Sequence, residues 1–284
     1  MRSHKNFLRR DLDGCSKTQN VENEKTSKTG RKPTEGGPGY QLYDLWRRCT
    51  AAQGLSFLRD LQRPPSNNSV ELIKIAVDAM GGDKAPEIVI EGTAEALEVY
   101  PHVDIVLVGH LQKITPLVEH YGIKDHPRLH LVHAEQAIAM DDPSISAIRN
   151  KKHSSMTVCA ELVHKGEAAA VVSAGHTGAA VAATTFRMKL LPGVERAGIA
   201  TLMPSTKGQP FIFIDAGANV DSKPIHLAQF AIMGEAFARS MGVHKPKIGL
   251  LSIGEEDVKG NDLTKEAFKM LSGMPINFVG NVEG

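Results

Sequence analysis

Four glycine-bearing stretches carry the side chains in this sequence that could do chemistry. The first is Asp78-Ala79-Met80-Gly81-Gly82-Asp83, paired glycines flanked by carboxylates. Adjacent glycines permit tight backbone geometry and close ligand approach; either Asp can instead cap the helix that follows. The second is Ser173-Ala174-Gly175-His176-Thr177-Gly178, ahead of an Ala-rich run. Its amides would open a helix N-terminus, where an anion binds readily, and Ser173 and Thr177 add hydroxyls. A tight turn with a Thr cap is the plainer account. Neither G-x-G-x-x-G nor G-K-[ST] occurs here, so it is not a dinucleotide or Walker loop.

The third stretch is Asp215-Ala216-Gly217-Ala218-Asn219-Val220-Asp221-Ser222-Lys223-Pro224. Pro224 suits a first helical position, with Asp221 or Ser222 as cap. A helix N-terminus disfavours a cation, so Lys223 there suggests an anion between them, unless it is a solvated surface lysine. The fourth joins Ile253-Gly254-Glu255-Glu256-Asp257 to Lys259-Gly260-Asn261, with Asn261 or Asp262 as helix cap. Beside Lys223 these groups would form a charged, hydrogen-bonding cleft. A basic cluster, Arg149-Asn150-Lys151-Lys152-His153 before Ser154, could meet an acidic protein or be a solvated helix entry. His102, His110, His120, His126, His130 and His133 crowd together but lack metal-ligand spacing, so no metal site is expected.

The elements that must position these stretches are apolar runs alternating with helical periodicity. Strands are expected at 73–78, 103–108, 129–133, 168–173, 210–215, 247–253 and 276–279. Helices are expected at 86–100, 111–121, 154–165, 177–189, 225–241 and 263–271. Such alternation implies an α/β fold, a mostly parallel sheet with helices on both faces. Ligands bind such sheets at the carboxyl ends of the strands, which is where all four stretches fall.

Composition sets the bounds. The chain has 284 residues, 42% hydrophobic and 23% charged, as an ordinary globular protein does. Its net charge of +1 hides an asymmetry: 13 of the 33 Lys+Arg but only 7 of the 32 Asp+Glu precede residue 71. Residues 1–70 are therefore expected to be a disordered or separate extension, and 71–284 the folded domain. An amphipathic, membrane-surface or targeting role for 40–63 is the sharper alternative. The acidic body argues against nucleic-acid binding. Cys15, Cys49 and Cys159 fit no redox or metal motif, and Cys159 is expected to be a small buried hydrophobe. No window has the apolar length of a membrane span and no secretory signal is evident, so a cytoplasmic protein is expected.

Taken in order, the stretches resemble the phosphate acyltransferase family PlsX. The resemblance rests on 75–83 (IAVDAMGGD), 173–179 (SAGHTGA), 215–221 (DAGANVD) with Lys223-Pro224, 253–256 (IGEE) with Lys259-Gly260-Asn261, and 277–284 (NFVGNVEG). It covers residues 72–284. It implies a Rossmann-like three-layer α/β/α sandwich related to phosphotransacetylases and isocitrate dehydrogenases. It implies acyl transfer from acyl-[acyl carrier protein] to inorganic phosphate, giving acyl phosphate for phospholipid synthesis without a cofactor. A homodimer is implied, peripheral to the membrane, handing its product to a membrane glycerol-3-phosphate acyltransferase. His176 stands where the family usually has Asn. The family continues past the residue matching Gly284, so an incomplete sheet is expected.

Under that resemblance the residue types suggest roles. Gly175, His176, Thr177 and Gly178 would hold phosphate through backbone amides, with Ser173, Asp78, Gly81 and Gly82 beside them. Lys223 would neutralise phosphate and Asn219 would donate to the thioester carbonyl. Glu255 or Glu256 would orient Lys223 or Lys259, and Asp215, Asp221 and Asn261 would complete the site. Arg149, Lys151 and Lys152 would dock the carrier protein. The competing readings are a non-catalytic fragment keeping ligand or dimer contacts, and a nicotinamide-dependent dehydrogenase, which lacks its fingerprint here.

Overall fold

The computed structural model describes residues 72–142, 144–206, 208–256 and 259–283. The expected extension 1–70 lies outside the described residues. The sheet begins with β1 (Ile73–Asp78), β2 (Val103–Gly109) and β3 (Leu129–His133), then β4 (Ala170–Val172). All pair in parallel in the order β3-β2-β1-β4, with Ile75 opposite Ile105 and Ala170. Parallel strands are covered on both faces, so their sequences are continuous apolar runs.

Alternate side chains divide between the two faces. Ile105 and Leu107 pack with Ile90 and Leu97 of α1 (Glu87–Val99) and with Ile114 and Val118 of α2 (Leu111–His120). Ala76, Val106 and Val108 face the other way, onto Cys159 of α4 (Ser155–His164). Between them in sequence lies α3 (Ser144–Asn150). Ile148 of α3 and Met156 and Ala160 of α4 pack on Ala179 and Ala183 of α5 (Thr177–Met188). Helix, sheet and helix thus form three layers. Cys159 is fully buried as expected, and burial pushes its thiol well above the ordinary value.

The second half of the chain adds two further strand pairs to this mostly parallel α/β fold. β5 (Ala200–Met203) runs antiparallel to β6 (Phe211–Ile214). β7 (Ile248–Leu251) pairs in parallel with β8 (Phe278–Val282). Helices α6 (Pro224–Ser240) and α7 (Asp262–Ser272) share a core of Ala228, Ile232, Leu250, Ala267 and Leu271. Neither α3 nor β5 is among the elements expected from the sequence. β8 runs past the expected end at 279 because Val279 bulges out and Gly280, at φ +100°, carries the chain through.

The caps divide similarly. Ser154 caps α4 through Thr157 N–H at 3.3 Å, and of the two candidates Asn261 and Asp262 it is Asn261 that caps α7, through Thr264 N–H at 3.0 Å. Asp83 does not cap α1, whose N-cap is Pro86. Neither Asp221 nor Ser222 caps α6: its N-cap is Lys223, and the imidazole of His226 reaches back to the Lys223 N–H at 3.1 Å.

Candidate functional site

Strand order reverses between β1 and β4, since the chain builds outward to β3 and then returns to the far side of β1. A crevice opens at the carboxyl ends where such a reversal occurs. The first and second glycine stretches follow β1 and β4, and they interlock there. The Ser173 hydroxyl donates to Asp78 Oδ2 at 2.7 Å and accepts the Gly175 N–H at 3.1 Å. Asp78 is buried, and its other oxygen accepts the Met80 N–H at 3.1 Å. A Cβ on Gly81 would lie 2.6 Å from Ser173 Oγ and 2.9 Å from the Gly175 nitrogen. Gly82, at φ +116°, faces the Ala174 carbonyl.

Beyond Gly175 the chain enters α5. His176, not Thr177, is the N-cap: its Nδ1 accepts the Ala179 N–H at 3.3 Å. Nδ1 therefore carries no proton, and the neutral ring holds its hydrogen on Nε2. An N-cap asparagine offers its side-chain oxygen in the same way, so His176 caps α5 as an asparagine would. Among the described residues no acceptor holds the amides of His176, Thr177 or Gly178. These are the orphan donors of a helix start, joined by the exposed Thr177 hydroxyl.

The segment before α4 borders this turn. Lys151 pairs with Asp142 and donates to the Ala137 carbonyl at 3.0 Å. The Lys151 ammonium and then the Ala139 N–H hold the Asp142 carboxyl below its ordinary value. Lys151 is thus committed inside the protein, whereas Arg149 and Lys152 are exposed. That leaves two of the three expected docking cations facing solvent.

The third stretch closes around Asp215. Its Oδ1 accepts the Ile199 N–H at 2.9 Å and the Ala218 N–H at 3.0 Å. Its Oδ2 accepts the backbone and side-chain N–H groups of Asn219, both at 2.8 Å. Burial pushes the carboxyl upward, but these donors together outweigh it and leave the group below its ordinary value. Asn219 spends its second amide hydrogen on the Ala197 carbonyl at 2.8 Å. Both hydrogens are therefore committed, and Asn219 braces the turn instead of presenting a donor to substrate. Val220 and Asp221 are exposed at its tip. Lys223 is exposed, and its ammonium has no partner among the described residues.

The fourth stretch folds on itself. The Lys259 N–H reaches the Glu256 carbonyl at 2.9 Å, and Asn281 of β8 donates to the same carbonyl at 2.9 Å. Asp257 and Val258 lie outside the described residues. Among the described residues neither Glu255 nor Glu256 pairs with Lys223 or Lys259, contrary to the orientation expected from sequence. The long-range contacts of Asn281, Glu195 and His226 had no sequence signal, because each depends on a partner at least 25 residues away.

Among the described residues no three His, Cys, Asp or Glu side chains gather as a metal site, and no helix is long and apolar enough to cross a membrane. His130 instead bonds Asp104 at 2.9 Å, and His133 accepts the Leu111 N–H at 3.4 Å.

Residues 73–284 match the family model described as fatty acid synthesis protein. A phosphate acyltransferase of a Nitratiruptor species is 51% identical over 214 residues, 75% of this chain and 63% of that protein. One of Koribacter versatilis is 48% identical over 221 residues, 75% of this chain and 60% of that protein. One of Alcanivorax borkumensis is 46% identical over 215 residues, 75% of this chain and 63% of that protein. The chain spans 60–63% of the length of these curated relatives. Among solved structures, a branched-chain phosphotransacylase from Enterococcus faecalis aligns at TM-score 0.48 and 16% identity, over 74% of this chain and 68% of that one. With the family model matched across residues 73–284, the chain belongs to the fatty acid synthesis protein family, and these curated relatives are named phosphate acyltransferases.

Proposed function

We propose that residues 72–284 bear the phosphate site of an acyl-[acyl carrier protein]:phosphate acyltransferase, which makes acyl phosphate for phospholipid synthesis. The observation that carries this reading is the interlock of Gly81, Ser173 and Gly175 at the sheet reversal, directly before three unclaimed amides. Free amides at a helix start bind an oxyanion without a cofactor. The relatives named phosphate acyltransferase support phosphate as that oxyanion and an acyl group as its partner.

In the reaction a phosphate oxygen attacks the thioester carbonyl carbon. A C–O bond forms, the C–S bond breaks, and the phosphate proton ends on the departing carrier-protein thiolate. Phosphate is itself the nucleophile, so the protein has to hold it, orient it and stabilise developing charge. The amides of His176, Thr177 and Gly178 hold it, and the unpartnered Lys223 neutralises it. Asp215 and Asn219 hold the Lys223 turn in shape. Gly82, Thr177, Asp221, Lys259 and Asn261 line the approach, and Arg149 with Lys152 receives the acidic carrier protein. Assembly as a homodimer beside the membrane, next to a glycerol-3-phosphate acyltransferase, belongs to the same proposal.

The test is acyl phosphate formation from acyl carrier protein thioester and phosphate. The 284-residue chain is run beside one extended to the length of its relatives. Turnover in either supports the reading. Lys223→Ala in the active form should lose about 10²–10³ in rate, as removal of one preorganised charge-stabilising donor does. Phosphate binding without turnover in both forms would leave a binding fragment, and absence of both would reject the proposal.

A further inference from the structure

The start of α6 is held by a pair of side chains outside every glycine stretch. His226 is 3% exposed, and its Nδ1 accepts the Lys223 N–H at 3.1 Å. A backbone N–H can only donate, so Nδ1 is unprotonated and the ring's hydrogen sits on Nε2. Nε2 faces Glu195 Oε2 at 3.2 Å, so it donates to that carboxylate. One helical turn on, Gln229 is also 3% exposed. Its Oε1 accepts the Glu195 N–H at 2.9 Å and its Nε2 donates to the Gly193 carbonyl at 3.0 Å.

The same short segment is held on its other side by the third turn. Asn219 holds the Ala197 carbonyl, Asp215 holds the Ile199 N–H, and the Ala216 N–H donates to the Ile199 carbonyl at 2.9 Å. Gly198 lets the segment lie flat on the helix: a Cβ there would sit 3.0 Å from the Phe230 ring. Residues 193–199 thus bridge the two ends of the turn that presents Lys223.

We infer that His226, with Glu195, is a positioning residue for Lys223. A neutral imidazole locked as the Nε2–H tautomer clasps the Lys223 backbone to segment 193–199, leaving the ammonium free for an anion. The inference rests on the phosphate reading for its use, but the clasp itself can be tested apart from it. The imidazolium carries hydrogens on both nitrogens and has no acceptor, so only the neutral ring can make both contacts. Asparagine places an acceptor near the Nδ1 position, so His226→Asn keeps the Lys223 contact and loses the one to Glu195. His226→Ala loses both.

The experiment combines imidazole 15N shifts, Lys223 amide exchange, inorganic phosphate titration and thermal unfolding on the 284-residue chain. The expected result is an Nε2–H signature for His226 and a slow Lys223 amide. The Ala variant should exchange that amide about tenfold faster and bind phosphate about tenfold more weakly, the size of a lost capping contact. His226→Asn, which restores the Lys223 contact alone, should recover only part of both while unfolding within a few degrees of the parent; full recovery would show that the contact to Glu195 contributes nothing. Glu195→Gln, which keeps an acceptor for Nε2–H, should stay close to the parent. An Nδ1–H signature, or equal Lys223 exchange in parent and Ala variant, overturns the clasp. Equal phosphate affinity in parent and Ala variant overturns its positioning role. A parent that binds no phosphate yet shows the expected tautomer and slow amide supports the clasp and sinks the phosphate reading alone.

Discussion

Asp215 accepts hydrogen bonds from Ile199, Ala218 and both nitrogens of Asn219, which only an ionised carboxylate can fully use. Its folded-state value is depressed below that of an unfolded aspartate. The stability it contributes is therefore present above the ordinary aspartate value of about 3.9 and lost as pH falls through the folded value. Asp215→Asn should destabilise the chain at neutral pH, and the gap between variant and parent in urea unfolding should close below about pH 4. A gap that stayed constant down to about pH 2.5 would mean the carboxylate charge is not what the turn uses. His176 allows a second comparison at this scale. His176→Ala should cost about 1 kcal/mol as a lost N-cap, whereas His176→Asn should cost little, because asparagine is a preferred cap. Equal loss in both, by chemical unfolding, would deny the capping role of Nδ1.

At the scale of elements, two turns that are 95 residues apart share one atom, the Ser173 hydroxyl that Asp78 accepts. Their spacing leaves no room for a side chain at Gly81, where a Cβ would meet backbone as well as side-chain atoms inside 3 Å. Gly81→Ala should therefore cost about 1–3 kcal/mol, as overpacking does, and weaken phosphate binding more than Gly92→Ala, where a Cβ meets nothing. A Gly81→Ala variant as stable as the parent would show that the two turns can part cheaply. The glycine pair was visible in the sequence as a tight turn. Its partner was not, since nothing local in 78–83 encodes which other turn will lie against it.

The whole molecule joins a three-layer α/β half to a second half with a hairpin and a separate strand pair. The docking expectation changes at this scale, because Lys151 is drawn inward onto Asp142 while Arg149 and Lys152 remain on the surface. Reversing Arg149 and Lys152 together should weaken binding of acyl carrier protein to this chain at low salt and flatten its salt dependence. Lys151→Ala should mainly lower stability, since it removes a partly buried pair. Fluorescence anisotropy titrations at two ionic strengths, with thermal unfolding alongside, separate these outcomes. Carrier-protein affinity that responds to Lys151 and not to the other two would place docking elsewhere.

Sequence alone determined the elements whose signal is local. The apolar runs of β1 to β3, the periodic helices and the ordered glycine stretches all follow from neighbours a few residues apart. Cys159 belongs with these, as a small apolar residue on a helix face turned to the sheet. Tertiary structure decided what depends on distant partners. It set the reversal of strand order between β1 and β4, the antiparallel turn of β5 on β6, and the inward pairing of Lys151. It also committed both amide hydrogens of Asn219 to Asp215 and Ala197 and brought in Glu195 and His226, because hydrogen-bonding groups that leave water must find acceptors and donors wherever packing places them.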